Sequence, residues 1–321
     1  MILPQTPSTM IDFEIARARS CLYSQIREFF SERGYLEVET PVLSPDLIPE
    51  RTIDCFETTF INEFTSSRQM YLIPSPEIYI KKLIAQGSGS VFEISKCFRN
   101  CEQLGKIHNP EFSMLEYYTV GSDERKSIEL TRELFSAVGI TEPFEIFTMR
   151  DIFLEKTGLD LDNIQTVPLI RAAAEGLNLH LGGPESWDDT FNRIFCTFVE
   201  PSLPEDRVVV ITDYPVQIEC LAQSEGLYRR RWEAYINGIE VANCYLEERN
   251  PEIVSDYYRR EYHRLADERS QNGKVIPDVD YSFADYFKTF PECSGVAVGL
   301  DRLLMAVTGK KTIGEVLLFP F

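Results

Sequence analysis

Residues 91–118 read VFEISKCFRN CEQLGKIHNP EFSMLEYY. Val91–Phe98 is an apolar, β-rich run and predicts a strand. Residues 112–118 return as a second strand. Between them residues 100–108 are polar and contain Gly105, so they read as a loop. The result is a hairpin with a long, charged connection, well beyond the usual two to five residues. Arg99 stands where the first strand meets that loop.

Moving outward toward the N-terminus, residues 69–73 are extended. Ser75-Pro76-Glu77 opens a helix through Lys81, Lys82, Leu83 and Ile84, with Ser75 as cap and Pro76 at the first helical position. Residues 11–33 predict a longer helix. Leu22, Ile26, Phe29 and Phe30 fall on one face, and Gly34 stops it. Residues 35–41 form a short strand ended by Pro41. Toward the C-terminus, residues 123–138 are amphipathic, and about 148–205 read as a helical insertion beginning at the cap Thr148. Strands follow at 208–211, 231–236 and 239–245, the last two joined by Asn237-Gly238, a strong hairpin signal. Residues 251–270 predict a charged helix, 295–300 a small-residue strand, and 301–308 a helix closed by Gly309. Antiparallel hairpins with helices beside them define an α+β domain, an antiparallel sheet flanked by helices.

The chain has 321 residues, 44% of them hydrophobic, which suits one large domain carrying an inserted subdomain. No apolar run reaches the roughly 18 residues that a membrane helix needs. The start, MILPQTPSTM, lacks a basic region followed by an apolar one, so the cytoplasm is the expected location. Lys plus Arg is 32 and Asp plus Glu is 51, giving 32 − 51 = −19. That balance argues against extended nucleic-acid binding and is compatible with a basic protein surface as partner. Arg229-Arg230-Arg231 reads as a solvated strand end. The eight cysteines are scattered. Cys97 and Cys101 lie close together near His108, but a structural zinc site needs four clustered ligands, so free thiols are the reading.

Three pieces carry a family resemblance: the strand ending at Pro41; Phe98-Arg99-Asn100 with His108-Asn109-Pro110-Glu111-Phe112; and Gly295-Val296-Ala297-Val298-Gly299-Leu300-Asp301-Arg302. Together they resemble motifs 1, 2 and 3 of class II aminoacyl-tRNA synthetases. SPEIYIKKL, HNPEFSMLEYY, GIEVAN and GLDRLLM are most similar to the lysyl branch. The resemblance spans residues 15–120 and 205–321.

The resemblance implies ATP and Mg²⁺ as partners of the site. Arg99 and Arg302 are the implied catalytic residues. A guanidinium at Arg99 clamps the α-phosphate as a carboxylate attacks it. Asn109 contacts ATP, Phe112 offers its ring to the adenine, and Arg302 closes the other face of the base or holds the γ-phosphate. Gly299 lets ATP approach the backbone. Asn100, Cys101 and Glu102 complete the ATP set from the loop, whose extra residue leaves open whether Cys101 or Glu102 takes the family's glutamate role. Glu240 with Val241 contacts ATP and Mg²⁺, and Glu247 binds the amino acid and shares the metal. Their spacing of seven puts Glu240 and Glu247 on opposite faces of a regular strand, so a bulge or bend near Asn243-Cys244 is required. Ser75, Pro76, Glu77, Glu116 and Tyr118 join Glu247 in the implied substrate pocket. Such a cluster of carboxylates suits a diammonium substrate such as lysine or (R)-β-lysine.

Lysyl-tRNA synthetases carry an anticodon-binding OB-fold before this core, and here motif 1 lies almost at the start, so no such domain is expected. That short architecture resembles the elongation factor P lysine ligases. These activate (R)-β-lysine with ATP and pass it to the ε-amine of a lysine on elongation factor P. Ala297 stands where lysyl-tRNA synthetases usually have glycine. The expected function is therefore an ATP-dependent lysine or (R)-β-lysine ligase acting on elongation factor P. Its rivals are a stand-alone enzyme charging tRNA or another acceptor, and a non-catalytic amino-acid sensor. Motif 1 implies a homodimer, with Leu22, Phe29 and Val42 at its interface.

Overall fold

The computed structural model describes residues 11–101, 105–183 and 185–321. Helix α1 (Phe13–Glu32) starts at the cap Asp12, whose carboxylate accepts from the Glu14 N–H at 2.9 Å. Leu22, Ile26, Phe29 and Phe30 form its buried face and belong to the main core. This corrects the expected interface: Leu22 and Phe29 are consumed inside the subunit. Strand β1 is only Leu36–Glu37, shorter than the predicted 35–41. Backbone pairing continues as far as the Val38 N–H to the Phe92 carbonyl at 2.9 Å. The buried Glu93 carboxylate then takes over, accepting from the Thr40 N–H and hydroxyl, each at 2.9 Å.

Strands β2 (Leu43–Ser44), β3 (Phe56–Phe60) and β4 (Arg68–Leu72) make a small antiparallel sheet ordered β2-β4-β3. In helix α2 (Glu77–Ala85) Pro76 itself occupies the cap position, with no side-chain cap bond, so the helix begins one residue later than predicted. The hairpin is β5 (Val91–Phe98) with β6 (Glu111–Val120), followed by α3 (Glu124–Ala137). Strand β7 (Phe144–Thr148) has no counterpart in the sequence reading. Helix α4 (Met149–Thr157) is capped by Thr148, and α5 (Val167–Gly176) and α6 (Trp187–Ile194) follow. The remaining elements are β8 (Val208–Pro215), β9 (Ser224–Glu225), β10 (Tyr228–Ile236), β11 (Ile239–Leu246), α7 (Pro251–Asn272), β12 (Cys293–Gly299) and α8 (Leu300–Thr308). The β10–β11 turn is Asn237 at φ 53° and Gly238 at φ 71°, two left-handed residues as a two-residue hairpin demands.

The large sheet runs β1-β5-β6-β12-β11-β10-β8-β7, with β9 on β10. It is antiparallel except at its edges, where β1 lies parallel to β5 and β7 parallel to β8. Strand β8 shows how both faces are used. Val208 and Val210 enter the main core with α1, α3 and α8, while Val209 and Ile211 enter a second core with α4 to α6. Burial on two sides explains its continuous valine run. A third core joins α2 and α7 to Val91 and Tyr118. The second and third cores cover the two ends of one sheet face, and the middle of that face stays open.

Candidate active site

A cavity of about 520 Å³ lies over that open middle. Its floor is set by register. Glu116 on β6 pairs with Ala297 on β12, which pairs with Asn243 on β11. One step along, Tyr118 pairs with Gly295, which pairs with Tyr245. Gly295 is required by close approach: a Cβ there would lie 2.3 Å from Glu247 Oε1 and 2.5 Å from Tyr118 Cε1. Glycine lets the carboxylate and the phenol meet over the strand.

Glu240 and Glu247 both reach the cavity because β11 carries a bulge. Tyr235 pairs with Glu240 and Ala234 with Ala242, so Val241 is the extra residue. Consecutive Val241 and Ala242 both pack into the main core. The bulge thus resolves the parity problem, at Val241 rather than at Asn243-Cys244. It does not bring the two carboxylates to one ion. Glu240 pairs with Tyr235, whereas Glu247 lies beyond the last β10 pair, Arg231 with Tyr245, four partner residues away, so their levels differ by more than about 13 Å at 3.3 Å per residue. Glu247 is instead paired with Lys81, 2.8 Å from Nζ to Oε2. The expected shared metal role of Glu247 is therefore not supported by the geometry. The acidic neighbour that acts on Glu240 is Glu233. Burial, then the Glu233 charge, pushes the Glu240 carboxyl up to about 7.

The end of the cavity near α2 is an ionic cluster. Lys81 is fully buried and pairs with Glu77 one turn earlier on α2 and with Glu247. Burial opposes its charge, but the Glu247 and Glu77 carboxylates more than offset this and raise its pKa. Burial and the charge of Glu77 push Glu247 up to about 7 against the pull of Lys81. Burial and Glu77 likewise hold the Glu116 carboxyl well above the usual range, and Glu116 Oε2 has no hydrogen-bond partner among the described residues. Three carboxylates therefore face one buried cation.

The other end holds the arginines. Arg99 lies 5.3 Å over the Phe112 ring, and its buried Nε has no partner among the described residues. Arg302, in the first turn of α8, donates from Nη1 to the Glu240 carbonyl at 2.8 Å and from Nε to the Ile107 carbonyl at 3.3 Å. The start of α8 is fixed by Asp301, which accepts from the Ser113 N–H at 2.8 Å and pairs with Arg19 of α1 at 2.6 Å. Above Gly299 the space is open, the nearest atoms to a Cβ being 3.9 Å away. Asn109 lines the cavity and binds the Glu111 carbonyl and the Phe321 N–H.

Ser75, Glu77, Glu116, Tyr118 and Glu247 line this one cavity, as do Arg99, Asn109, Phe112, Glu240, Val241, Gly299 and Arg302. Pro76, Asn100 and Cys101 do not. Pro76 is buried as the cap of α2. Asn100 is bridged to Asp54 and its side chain reaches the Cys55 carbonyl at 3.4 Å, tying the hairpin to the small sheet. Cys101 is exposed, with φ 56°. Glu102 lies outside the described residues. Lys81, Arg231 and Glu50 escaped the sequence reading. Arg231 is no solvated strand end: it pairs with Glu233, sits 4.5 Å over Tyr214 and donates to Asn243 at 3.2 Å. Its alternation with Glu233 where the strand turns apolar, in Arg231-Trp232-Glu233-Ala234, is the available signal.

The model of the tRNA synthetases class II (D, K and N) family matches residues 12–321. The elongation factor P–(R)-β-lysine ligase of Histophilus somni (strain 2336) is 36% identical to this chain, over 98% of this chain and 96% of its own length. That of Pasteurella multocida (strain Pm70) is 34% identical with the same coverage. That of Vibrio parahaemolyticus is 33% identical, over 96% of both chains. With the sheet, the hairpin and the arginine-lined cavity in place, the chain belongs to the class II tRNA synthetases of the D, K and N type, in the branch of the elongation factor P–(R)-β-lysine ligases.

Proposed function

We propose that this chain is an ATP-dependent, AMP-forming ligase. It activates (R)-β-lysine or lysine as the aminoacyl-adenylate and transfers it to a lysine of elongation factor P. The observation that carries this reading is the cluster of Glu77, Glu116 and Glu247 around the single buried Lys81. The excess negative charge is costly without a cationic ligand. A diammonium amino acid bound there directs its carboxylate toward Arg99.

In the first step a carboxylate oxygen attacks the α-phosphorus of ATP, and the bond to the pyrophosphate oxygen breaks. Arg99 meets the charge that develops on the α-phosphate, and its unpaired Nε is available for this. Phe112 beneath Arg99 and Arg302 across the cavity hold the nucleotide between them. Much of the acceleration is positioning. In the second step the amine of the acceptor lysine takes the acyl group, and AMP leaves.

Mg²⁺ is expected with the ATP. The Glu240 carboxylate lines the cavity and would suit a hard cation, whereas the Glu233 oxygens are taken up by Arg231, Tyr214 and Tyr235. Among the described residues no three potential ligands converge, so the phosphates must supply the remaining oxygens. Bound there, the ion would neutralise phosphate charge.

A homodimer is part of the proposal. Leu36, Val42 and Leu43 are exposed apolar residues at 55%, 40% and 37% and offer the interface that Leu22 and Phe29 do not. Among the described residues no helix is long and apolar enough to cross a membrane, and the cytoplasm is the proposed location. The test is ATP–pyrophosphate exchange with purified protein across the amino acids. Exchange with lysine or (R)-β-lysine is expected. Exchange driven best by a neutral or acidic amino acid would remove the charge argument.

A further inference from the structure

Glu50 lines the cavity on the segment between β2 and β3 and belongs to none of the three motifs. Its backbone is held from several sides. The Tyr257 hydroxyl donates to the Pro49 carbonyl at 3.3 Å, and Arg269 Nη2 donates to the Glu50 carbonyl at 3.2 Å. The Arg51 N–H donates to Glu261 at 2.9 Å, and the Arg51 guanidinium pairs with Asp188 of α6. So α7 and α6 together fix the segment. Among the described residues no hydrogen bond or ion pair engages the Glu50 carboxylate. It lines the same cavity as Glu77 on the amino-acid side and Arg99 on the phosphate side, and the charges of both act on it.

We propose that Glu50 is the proton acceptor for the incoming lysine amine in the transfer step. The proposal rests on the ligase reading above. An acceptor lysine arrives as an ammonium, which cannot attack. Glu50 takes one proton from it. The neutral nitrogen forms a bond to the acyl carbon, the carbon–oxygen bond to the phosphate breaks, and the second proton leaves with AMP. Glu50 returns its proton to solvent. Burial first, then the Glu77 charge, pushes the Glu50 carboxyl up to about 7, which places it where a general base works well at neutral pH. The groups facing it are Glu77 and Lys81 from α2, Arg99 just past β5, Tyr245 from β11, and Tyr257, Tyr258 and Glu261 from α7. Because only the ionised carboxylate accepts a proton, the transfer rate rises with pH through about 7.

The test separates the half-reactions. Pre-formed enzyme-bound adenylate is mixed with elongation factor P, or with hydroxylamine, which is already neutral at pH 7 and needs no base. Glu50→Gln is expected to slow transfer to the protein lysine by about 100-fold at pH 7, to remove the levelling above about pH 7 so that the residual rate keeps climbing with the free-amine fraction, and to affect hydroxamate formation far less. Acetate is expected to restore transfer to Glu50→Ala in part, which a merely structural defect would not allow. Equal losses with both nucleophiles, or a raised amino-acid KM in exchange as the sole effect, would overturn the role. Absence of exchange by the unaltered enzyme with every amino acid would instead overturn the ligase reading.

Discussion

Replacing Lys81 by Met removes the cation that Glu77 and Glu247 share and keeps a side chain of similar length. Lys81 is 0% exposed, so water cannot take its place without rearrangement. Removing one partner of a buried ion pair costs about 3–5 kcal/mol. The variant can escape by protonating one carboxyl. For a group of ordinary pKa about 4.3 that costs roughly 4.4 kcal/mol at pH 7.5, but only about 1 kcal/mol at pH 5.0. The sign follows. Without Lys81 the Glu247 carboxyl, already raised to about 7, rises further above its unfolded value, so stability is kept at low pH and lost as pH climbs. At about 2 °C per kcal/mol for a chain of this size, the melting midpoint should drop by roughly 6–10 °C at pH 7.5 and by about 2 °C at pH 5.0. Calorimetry across that range tests this. Lys82→Met is the control, since Lys82 rests over Tyr79 at 5.5 Å and is half-buried rather than set in the Glu77–Glu247 cluster. A Lys81→Met loss that is the same at both pH values would refute the picture of two ionised carboxylates held by one lysine.

Arg99→Ala should lower exchange by roughly 10²–10³-fold while leaving the melting midpoint nearly unchanged; exchange within threefold of the unaltered enzyme would remove Arg99 from the mechanism. Gly295→Ala places a Cβ 2.3 Å from Glu247 Oε1 and 2.5 Å from Tyr118 Cε1. Relieving that overlap costs about 1–3 kcal/mol, so the amino-acid KM should rise roughly 5- to 150-fold with little change in the KM for ATP. An unchanged amino-acid KM would argue against that pocket. Glu116 and Glu247 have raised pKa values, Glu247 to about 7. The Glu247 contribution to the ligand-free protein is therefore full below the unfolded value and lost as pH rises through about 7, and that of Glu116 is lost in the same direction. A diammonium substrate prefers the ionised cluster, so its KM should fall from pH 5.5 to 7.5; a rise would contradict the assignment.

Much of the fold was legible where the signals are local. The α1 stripe of Leu22, Ile26, Phe29 and Phe30, the Thr148 cap and the Asn237-Gly238 turn are decided within a few residues, and the structure holds each of them. Strands β3 and β7 were missed because they are short and carry no buried alternation. The site was legible in its arginines and carboxylates, through resemblance rather than spacing. The odd spacing of Glu240 and Glu247 demands a bulge, but the position of the bulge depends on how β10 pairs, which lies outside β11 itself. Lys81 reads as one of two adjacent lysines in an amphipathic helix. Only Glu247, brought in from a distant strand, makes it a buried counter-ion. Asn100 belongs to a motif, yet its pairing with Asp54 gives it a structural task. Glu50 has no local signal at all, since its surroundings come from α2, β5, β11 and α7.

The most direct test of the central claim is the intact mass of elongation factor P after incubation with this enzyme, ATP, Mg²⁺ and (R)-β-lysine. The account predicts a gain of one β-lysyl residue on a lysine side chain, with AMP and pyrophosphate formed in equal amount, and no gain with Arg99→Ala. Unmodified elongation factor P alongside efficient charging of tRNA by the same preparation would contradict it.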